Sequence, residues 1–239
     1  MVNKLRPTVI CHMMMTIDGK ITSGEQTDIL NNYFDLYTKT EDMLPAHTAW
    51  MCGRVTMQMF ASTKDVSLPT PSHAIEPIDY IAPHEGNLFM FGVDTKGVLR
   101  WGKNSIKLSN VAEPLHLVVI VTTSTPKEYL QYLQNNGISY LVAGTNEIDF
   151  LKLFTTMKEK FGVETLLLEG GGLLNGSVMA DNLVDEISIL VTPTVTNRSK
   201  APSVFERKQE EPLNLRPYSL VGVQKLDKDT VWLRYKKHE

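Results

Sequence analysis

The chain has 239 residues, 42% of them hydrophobic, and a formal net charge of -3. This size supports one substantial hydrophobic core, so we expect a single domain over residues 1–239 with its core at about 8–236. The small negative charge and the lack of a dense basic run argue against nucleic acid as a partner. Since no apolar run approaches the roughly 20 residues that span a bilayer, we expect a cytoplasmic protein that does not enter a membrane.

The cysteine and histidine content argues against a disulfide framework and a catalytic metal. Cys11 and Cys52 both lie in apolar runs without metal-ligand spacing, which favours buried reduced thiols. The six histidines include no HExxH pair. The apolar N-terminal run is interrupted by His12 and lacks a small-residue cleavage site, so it does not indicate a signal peptide.

The first predicted strand runs from Thr8 to Met14 and leads into a turn marked by Asp18-Gly19. A helix is expected from Thr27, and Pro45 closes it. Its apolar residues share one face of the helix: Ile29, Tyr33, Leu36 and Tyr37.

The second predicted strand, Thr48 to Cys52, runs directly into Gly53-Arg54-Val55-Thr56. Met57 to Phe60 begin another helix. This strand–glycine–helix junction carries a cation and a hydroxyl group. It either binds an anion or caps a helix beside a solvated Arg54.

Residues 61–87 form a long connection without periodicity. The segment contains four prolines: Pro69, Pro71, Pro77 and Pro83. A connection of this length inside a compact domain is usually a functional loop or a disordered one.

Strands and helices then alternate. The predicted strands of this part are Leu88–Val93, Leu115–Val121, Ile138–Val142, Thr165–Leu168 and Glu186–Val191. Helices are expected from Pro126, from Glu147 and from near Leu173. Tyr218–Leu226 and Thr230–Tyr235 form a closing hairpin. This order predicts an α/β fold with a mostly parallel central sheet, helices on both faces and an antiparallel C-terminal hairpin.

The strongest single feature is the stretch from Val163 to Pro193. A buried strand ends at Glu169, three glycines follow, and a helix begins. This arrangement aims backbone N–H groups at an anion, although a tight turn without a ligand explains it equally well. It is a poor Rossmann fingerprint, because Asn175 stands where the third glycine belongs and Gly176 comes one place late.

Three segments resemble one family, the reductase domain of riboflavin biosynthesis, which belongs to the dihydrofolate reductase-like superfamily. The segment MMMTIDGKI is similar to the family's "MSLDGKI", and LLLEGGGLLNGSVMADNLVDEISILVTP is similar to its "vEGG…l…vDE…P". Gly53-Arg54-Val55-Thr56 resembles the "G-R-x-T" of dihydrofolate reductases. With the closing hairpin, the resemblance extends from about Thr8 to Tyr235.

The resemblance implies an NADPH-dependent oxidoreductase, usually a homodimer, with a dihydrofolate reductase-like fold. Its small-molecule substrate would be a heterocycle, the ribosylamino-pyrimidine phosphate 5-amino-6-(5-phosphoribosylamino)uracil. The residues implied in cofactor binding follow the strand ends: Gly53, Arg54, Thr56, Thr95, Lys96, Gly170, Gly171, Gly172 and Leu173. Thr95 and Lys96 occupy the loop where such proteins contact the 2′-phosphate, which favours a cation and a hydroxyl group.

The resemblance also places Asp18, Lys20 and Glu169 at the catalytic cleft. Lys20 either orients the substrate or is a solvated residue beside the turn. Glu169 either shuttles a proton in a polar network or accepts backbone N–H bonds from the glycine turn. Asp18 fits a turn former better than an acid.

One departure concerns the substrate. Riboflavin-pathway reductases commonly carry a "DDP…L…R" stretch that helps to bind the ribose phosphate, whereas this chain reads MQMFASTKDVSLPTPSH there. Two alternatives therefore stay open. One is a reductase of dihydrofolate, pteridines or another small heterocycle, and the other is a non-catalytic NADPH-binding protein.

Overall fold

The structure is a computed structural model that describes residues 5–21, 31–62, 66–71, 74–207 and 216–238. The chain divides into two compact units. The first unit comprises Met1–Pro7 and Thr48–Glu164, and the second comprises Thr8–His47 and Thr165–Glu239. None of the helices in these described ranges has the length and apolar character needed to cross a bilayer.

The elements alternate along the chain as the sequence predicts. The strands are β1 (Thr8–Thr16), β2 (Ala49–Cys52), β3 (Phe89–Val93), β4 (Ser105–Ile106), β5 (Leu115–Val121), β6 (Ser139–Val142), β7 (Thr165–Leu168), β8 (Glu186–Thr192), β9 (Tyr218–Lys225) and β10 (Val231–Lys237). The helices are α1 (Phe34–Glu41), α2 (Arg54–Met57), α3 (Lys127–Asn135), α4 (Phe150–Phe161) and α5 (Gly172–Ala180), and a 3₁₀ turn, Gln58–Phe60, follows α2.

In the first unit, β2, β3, β5 and β6 pair in parallel, and the short β4 pairs antiparallel with β5. All seven residues of β5 are buried, as expected for a strand covered on both faces. Each buried aliphatic side chain of this kind stabilises the fold by about 1.5–3 kcal/mol. The apolar, β-branched sequence of β5 therefore sets the core of the unit.

Both ends of the helix α4 are marked by residues that commonly cap helices. The side chain of Asp149 accepts a hydrogen bond from the backbone N–H of Lys152 at 2.9 Å, and Gly162 ends the helix in the left-handed conformation at φ +66°. The buried residues recur at helical spacing: Phe150, Leu153, Phe154, Met157 and Phe161.

The proline-rich connection lies along the edge of β6. Tyr80 and Tyr140 exchange backbone hydrogen bonds of 3.0 and 2.8 Å, and the N–H of Ala82 donates to Ser139 Oγ at 2.9 Å. Asp79 accepts from the N–H of Val142 at 2.7 Å. The described part of this connection thus covers an exposed strand edge, which protects it from pairing with other chains.

In the second unit, the strand order is β7-β1-β8-β10-β9. The strands β7, β1 and β8 are parallel, whereas β10 runs antiparallel to β8 and to β9. Cys11 of β1 lies beside Leu168, the last residue of β7. The end of β7 is therefore level with Cys11, and β1 continues for five more residues, to Thr16, before it leaves the sheet.

The predicted fold class is confirmed, with a mostly parallel sheet arrangement and an antiparallel C-terminal hairpin. Several details differ from the expectation. The helix predicted from Met57 begins at Arg54, and the helix predicted from Glu147 begins at Phe150, after its cap Asp149.

The helix α1 ends at Glu41 and not at Pro45. The N–H groups of Met43 and Leu44 bond to the carbonyls of Thr40 and Glu41, three residues earlier, so tight turns and not α-helix precede the proline. The two-residue β4 was not predicted, since so short a strand has no periodicity. The expected helix residues Thr27 and Ile29 lie outside the described residues.

Candidate active site

The turn after β1 positions Lys20. Thr16 Oγ1 donates to Asp18 Oδ1 at 2.5 Å and accepts from the N–H of Lys20 at 3.0 Å. Gly19 has φ +75°, a conformation that favours glycine. Lys20 is half-buried, and its amino group makes no hydrogen bond or ion pair among the described residues. The Lys20 ammonium group is therefore available to a ligand.

Asp18 acts as an anchor for a segment that comes much later in the chain. Its carboxylate accepts hydrogen bonds from the N–H and hydroxyl groups of Thr196 and from the N–H of Asn197, at 3.0–3.2 Å. The hydrogen bond from Thr16, followed by those from Thr196 and Asn197, lowers the pKa of Asp18. A carboxylate held ionised by several donors is a poor proton donor and a good structural anchor.

The segment anchored in this way, residues 194–206, is called the strap below. Ile17 and Ile21 donate backbone hydrogen bonds to Thr194 and Pro202 of the strap at 2.8 and 3.0 Å. At its other end, the N–H of Glu206 donates to the carbonyl of Gly172 at 2.9 Å. The strap thus connects the turn that carries Lys20 to the first turn of α5.

Glu169 follows β7 and lies within a polar cluster. Tyr37 Oη is 2.9 Å from Glu169 Oε1. Glu169 as a whole residue is half-buried, and burial shields its carboxyl group from solvent. This burial and then the charge of Glu41 raise the pKa of Glu169 to about 8, although the hydrogen bond from Tyr37 lowers it. Glu169 therefore retains a proton near neutral pH, as a proton donor must.

Glu41 is almost fully buried and pairs with His47. His47 Nε2 lies 3.6 Å from Glu41 Oε1. Burial disfavours the charged form of His47, but Glu41, the Pro45 carbonyl and Asp42 together raise its pKa. The negative charge of Glu41 disfavours a second negative charge on Glu169, and this repulsion is the reason that Glu41 raises the pKa of Glu169.

The three glycines after Glu169 have different surroundings. Gly170 has φ +86°, and a Cβ there would lie 2.9 Å from Met13 Cε. A Cβ on Gly172 would lie 2.2 Å from the carbonyl oxygen of Ser203 in the strap. A Cβ on Gly171 would meet no atom of the described residues within 4 Å. Gly171 therefore borders open space, whereas Gly172 is required by packing.

The start of α5 offers backbone donors beside that open space. Gly171 is the N-cap residue, and the first turn of the helix holds no acidic residue. Leu173 in this turn is 45% exposed, so a ligand could reach it. The unpaired N–H groups and the positive end of a helix favour an anion at such a position.

Three of the predicted cofactor-binding residues, Gly53, Arg54 and Thr56, lie at the junction between β2 and α2 in the first unit. Gly53 is the N-cap of α2 and has extended backbone, at φ -76° and ψ 164°. Arg54 is exposed and makes no ion pair or hydrogen bond among the described residues, and Thr56 is half-buried. These side chains offer a cation and a hydroxyl group to solvent.

Thr95 and Lys96 form the turn after β3. The Thr95 carbonyl accepts a hydrogen bond from Thr125 Oγ1 at 2.8 Å, and Lys96 is exposed. Buried Asp94 closes the turn by accepting from the N–H groups of Val98 and Leu99 at 3.1 and 2.8 Å. The turn is therefore well fixed and presents one cation.

Sequence reasoning missed Tyr37, Glu41 and His12 as site residues. Tyr37 was assigned to the apolar face of a helix, which hid the role of its hydroxyl group. His12 is fully buried in β1, and its burial lowers its pKa to about 4. A histidine inside an otherwise apolar strand was the one available signal.

Comparisons with known proteins identify the family of the chain. The family model of the RibD C-terminal domain matches residues 7–232. A 2,5-diamino-6-ribosylamino-4(3H)-pyrimidinone 5′-phosphate reductase of Methanothermobacter thermautotrophicus is 27% identical over 202 residues, which are 84% of this chain and 85% of that protein. A protein of the same name from Aquifex aeolicus is 28% identical over 87 residues, 36% of this chain and 38% of that protein.

Solved structures share the fold. A pyrimidine reductase-like protein of Corynebacterium diphtheriae matches with a TM-score of 0.66 at 15% identity, over 98% of this chain and 92% of that one. RibD of Acinetobacter baumannii matches with a TM-score of 0.63 at 16% identity, over 98% of this chain, which spans 59% of that protein. The family model covers nearly the whole sequence, and the chain belongs to the RibD C-terminal domain family.

Proposed function

We propose that the protein is an NADPH-dependent reductase of a ribosylamino-pyrimidine phosphate in riboflavin biosynthesis. The observation that carries this proposal is the family match over residues 7–232. The relatives that cover most or part of the chain are named as reductases of such a compound. Glu169 directly follows β7, and the turn with Lys20 follows the neighbouring parallel strand β1. The Lys20 ammonium group has no partner among the described residues, which supports a role for it in binding a ligand.

Each unit separately offers groups suited to phosphate, and we propose that these groups bind the cofactor. Gly171 borders open space at the start of a helix without acidic residues, and this favours a phosphate group. Arg54 and Lys96 are exposed cations suited to further phosphates, with Thr56 and Thr95 as neighbouring polar residues. We propose that Gly53, Gly170, Gly172 and Leu173 shape the backbone around the cofactor. When bound, NADPH supplies the hydride.

We assign substrate binding, proton transfer and positioning to three side chains of the second unit. Lys20 binds a polar group of the substrate and stabilises negative charge that develops there. Glu169 holds a proton near neutral pH and delivers it to the substrate, as general acid catalysis requires. Asp18 is a positioning residue in this proposal, because its carboxylate fixes the strap beside the Lys20 turn.

A second candidate substrate is another small heterocycle, such as a pteridine. This alternative is favoured by residues 57–73, which lack the paired acids and the arginine common in the riboflavin-pathway reductases. Complementation of a riboflavin auxotroph separates the two enzymes, since only the pyrimidine reductase restores growth. A non-catalytic protein would bind NADPH and oxidise it with neither class of substrate.

The roles of Lys20 and Glu169 can be tested by substitution. We expect Lys20→Ala and Glu169→Gln each to lower kcat for NADPH oxidation roughly 10²–10⁴-fold, the usual contribution of a group that acts in the transition state. Lys39→Ala is the matched control, because Lys39 lies on α1 and has no role in the proposed site. Turnover by both site variants at the native rate would remove these residues from the mechanism.

We further propose a homodimer that acts in the cytoplasm. The support for a dimer is the outer strand β9, whose exposed apolar residues are Leu220, Val221 and Val223. Among the described strands, β9 pairs only with β10. An exposed apolar strand edge of this kind favours association with another chain.

A further inference from the structure

The hydroxyl group of Tyr37 lies between two acceptors. Its oxygen is 2.9 Å from Glu169 Oε1 and 2.9 Å from the backbone carbonyl oxygen of His12. A phenol has one proton and cannot donate strongly to both acceptors at once. Which acceptor receives the proton therefore depends on whether Glu169 carries a proton of its own.

Both protonation states of Glu169 are satisfied by this geometry. When Glu169 is ionised, Tyr37 donates to its carboxylate. When Glu169 is protonated, its O–H donates to Tyr37 Oη, and the Tyr37 proton turns to the His12 carbonyl. Since the same distances of 2.9 Å suit either direction of donation, Glu169 can lose or gain a proton without breaking a hydrogen bond.

His12 fixes Tyr37 from the other side. Its ring stacks on the Tyr37 ring, with 4.3 Å between the centroids. His12 Nε2 lies 3.3 Å from the Tyr37 carbonyl oxygen, which can only accept, so Nε2 carries the proton. The other nitrogen, Nδ1, is then an acceptor, and Ser188 Oγ donates to it at 2.9 Å.

The chain of donors begins at the C-terminal hairpin. The indole N–H of Trp232 in β10 donates to Ser188 Oγ at 2.8 Å. Trp232, Ser188 and His12 are all buried, with exposures of 5%, 0% and 0%. Because the Tyr37 carbonyl can only accept, neutral His12 carries its proton on Nε2, and Ser188 must donate to Nδ1 while it accepts from the indole, so His12 is held in one neutral tautomer.

We propose that Tyr37 is a positioning residue that keeps the carboxyl group of Glu169 hydrogen-bonded in both of its protonation states. His12 orients Tyr37 for this role, through the donors Ser188 and Trp232. The role assigned to Glu169 rests on the proposed function, whereas the arrangement itself is a property of the protein without ligands.

Three titratable groups of the described residues influence Glu169 or are influenced by it. Tyr37 and Glu41 approach it from α1, and the Cys11 thiol approaches from β1. Burial, and then Glu169, raises the pKa of Cys11, so this thiol remains neutral and adds no charge. Removing the Tyr37 hydroxyl group should therefore destabilise mainly the ionised form of Glu169, since hydrogen bonds to charged groups are the stronger ones.

The test is the titration of Glu169 in the protein without cofactor, followed by carbon-13 NMR of glutamate labelled at its side-chain carboxyl group. The resonance is assigned by its loss in Glu169→Gln. We expect a midpoint near pH 8 in the native protein. The midpoint should move upward by about one pH unit in Tyr37→Phe, and by less in Ser188→Ala.

Tyr235→Phe is the matched control, because the Tyr235 hydroxyl group makes no hydrogen bond among the described residues and its strand belongs to the same unit. The control should titrate like the native protein. An unchanged midpoint in Tyr37→Phe, or an equal shift in the control, overturns the proposal. The readout needs no turnover, so a shifted midpoint in a protein without reductase activity would support the positioning role and count against the proposed function alone.

Discussion

At the scale of single residues, the sequence pointed to some polar groups of the site and not to others. Glu169 and Lys20 could be found because they lie in segments that resemble those of a known family. Tyr37 and His12 could not be assigned, since they come into contact only when β1 and α1 pack together. Helical periodicity shows that Tyr37 faces inward, but it does not show what its hydroxyl group meets.

The raised pKa of Glu169 predicts a pH-dependent stability. The folded protein retains a proton that the unfolded chain loses above about pH 4.5, so stability falls as the pH rises from there towards 8. Glu169→Gln is neutral throughout and lacks this loss. We expect the free energy of unfolding of the native protein, relative to the variant, to drop by roughly 2 kcal/mol between pH 5 and pH 8, less than the full shift implies because solvent reaches part of the side chain.

Urea denaturation at a series of pH values measures this difference. Asp149→Asn serves as a control, since Asp149 caps α4 in the first unit. Parallel stability curves for the native protein and Glu169→Gln across this range would show that Glu169 titrates normally.

At the scale of elements, the glycines around α5 serve two purposes. The sequence presents Gly170, Gly171 and Gly172 as one ligand-binding run. The structure separates them, because Gly172 and Gly176 make room for the strap and Gly171 does not. Contact with a segment about 30 residues later along the chain leaves no local pattern, so sequence reasoning could not make this distinction.

This separation predicts opposite results for two alanine substitutions. A Cβ on Gly176 would lie 1.8 Å from the Glu206 carbonyl oxygen, so Gly176→Ala must displace the strap. We expect this variant to lose about 1–3 kcal/mol of stability, as overpacked sites do. Gly171→Ala should unfold like the native protein but bind NADPH at least about tenfold more weakly, because its methyl group holds a phosphate away from the backbone.

Thermal unfolding and calorimetric titration with NADPH measure the two properties independently. Equal stability of Gly176→Ala and the native protein would mean that the strap does not pack on α5 as described. Native affinity in Gly171→Ala would remove Gly171 from the cofactor site.

The proline-rich connection shows a second limit of sequence reasoning at this scale. The composition of residues 61–87 predicted a functional or disordered loop. Its described part also pairs with β6 through the single bridge between Tyr80 and Tyr140, a contact that the composition does not indicate. One bridged residue has no alternation to detect, so neither the contact nor its protective role was visible in the sequence.

At the scale of the whole molecule, the alternation of strands and helices was enough to predict the fold class. The parallel strands were recognisable as short apolar runs, and the closing hairpin by its Asp227-Lys228-Asp229 turn. The sequence pattern alone does not indicate an oligomeric state. An apolar strand looks the same in the sequence whether its side chains are covered by the same chain or by a partner.

The proposed dimer gives a prediction at this scale. Val223 is 61% exposed on β9, and Val223→Glu would place a charge on the proposed contact surface. We expect sedimentation to show a native dimer and a variant that dissociates at least about tenfold more readily. Val55→Glu is the control, since Val55 is 72% exposed on α2 in the first unit. A monomeric native protein would contradict the dimer and leave the reductase proposal untouched.

The most direct test of the reductase proposal is NADPH oxidation by the purified native protein, followed by the absorbance of the reduced nicotinamide. The substrate is 2,5-diamino-6-ribosylamino-4(3H)-pyrimidinone 5′-phosphate, with a pteridine panel in parallel. We expect oxidation that depends on the pyrimidine phosphate and falls roughly 10²-fold or more in Glu169→Gln. Absence of oxidation with the pyrimidine phosphate at saturating concentrations, whether or not NADPH binds, would contradict the proposed function.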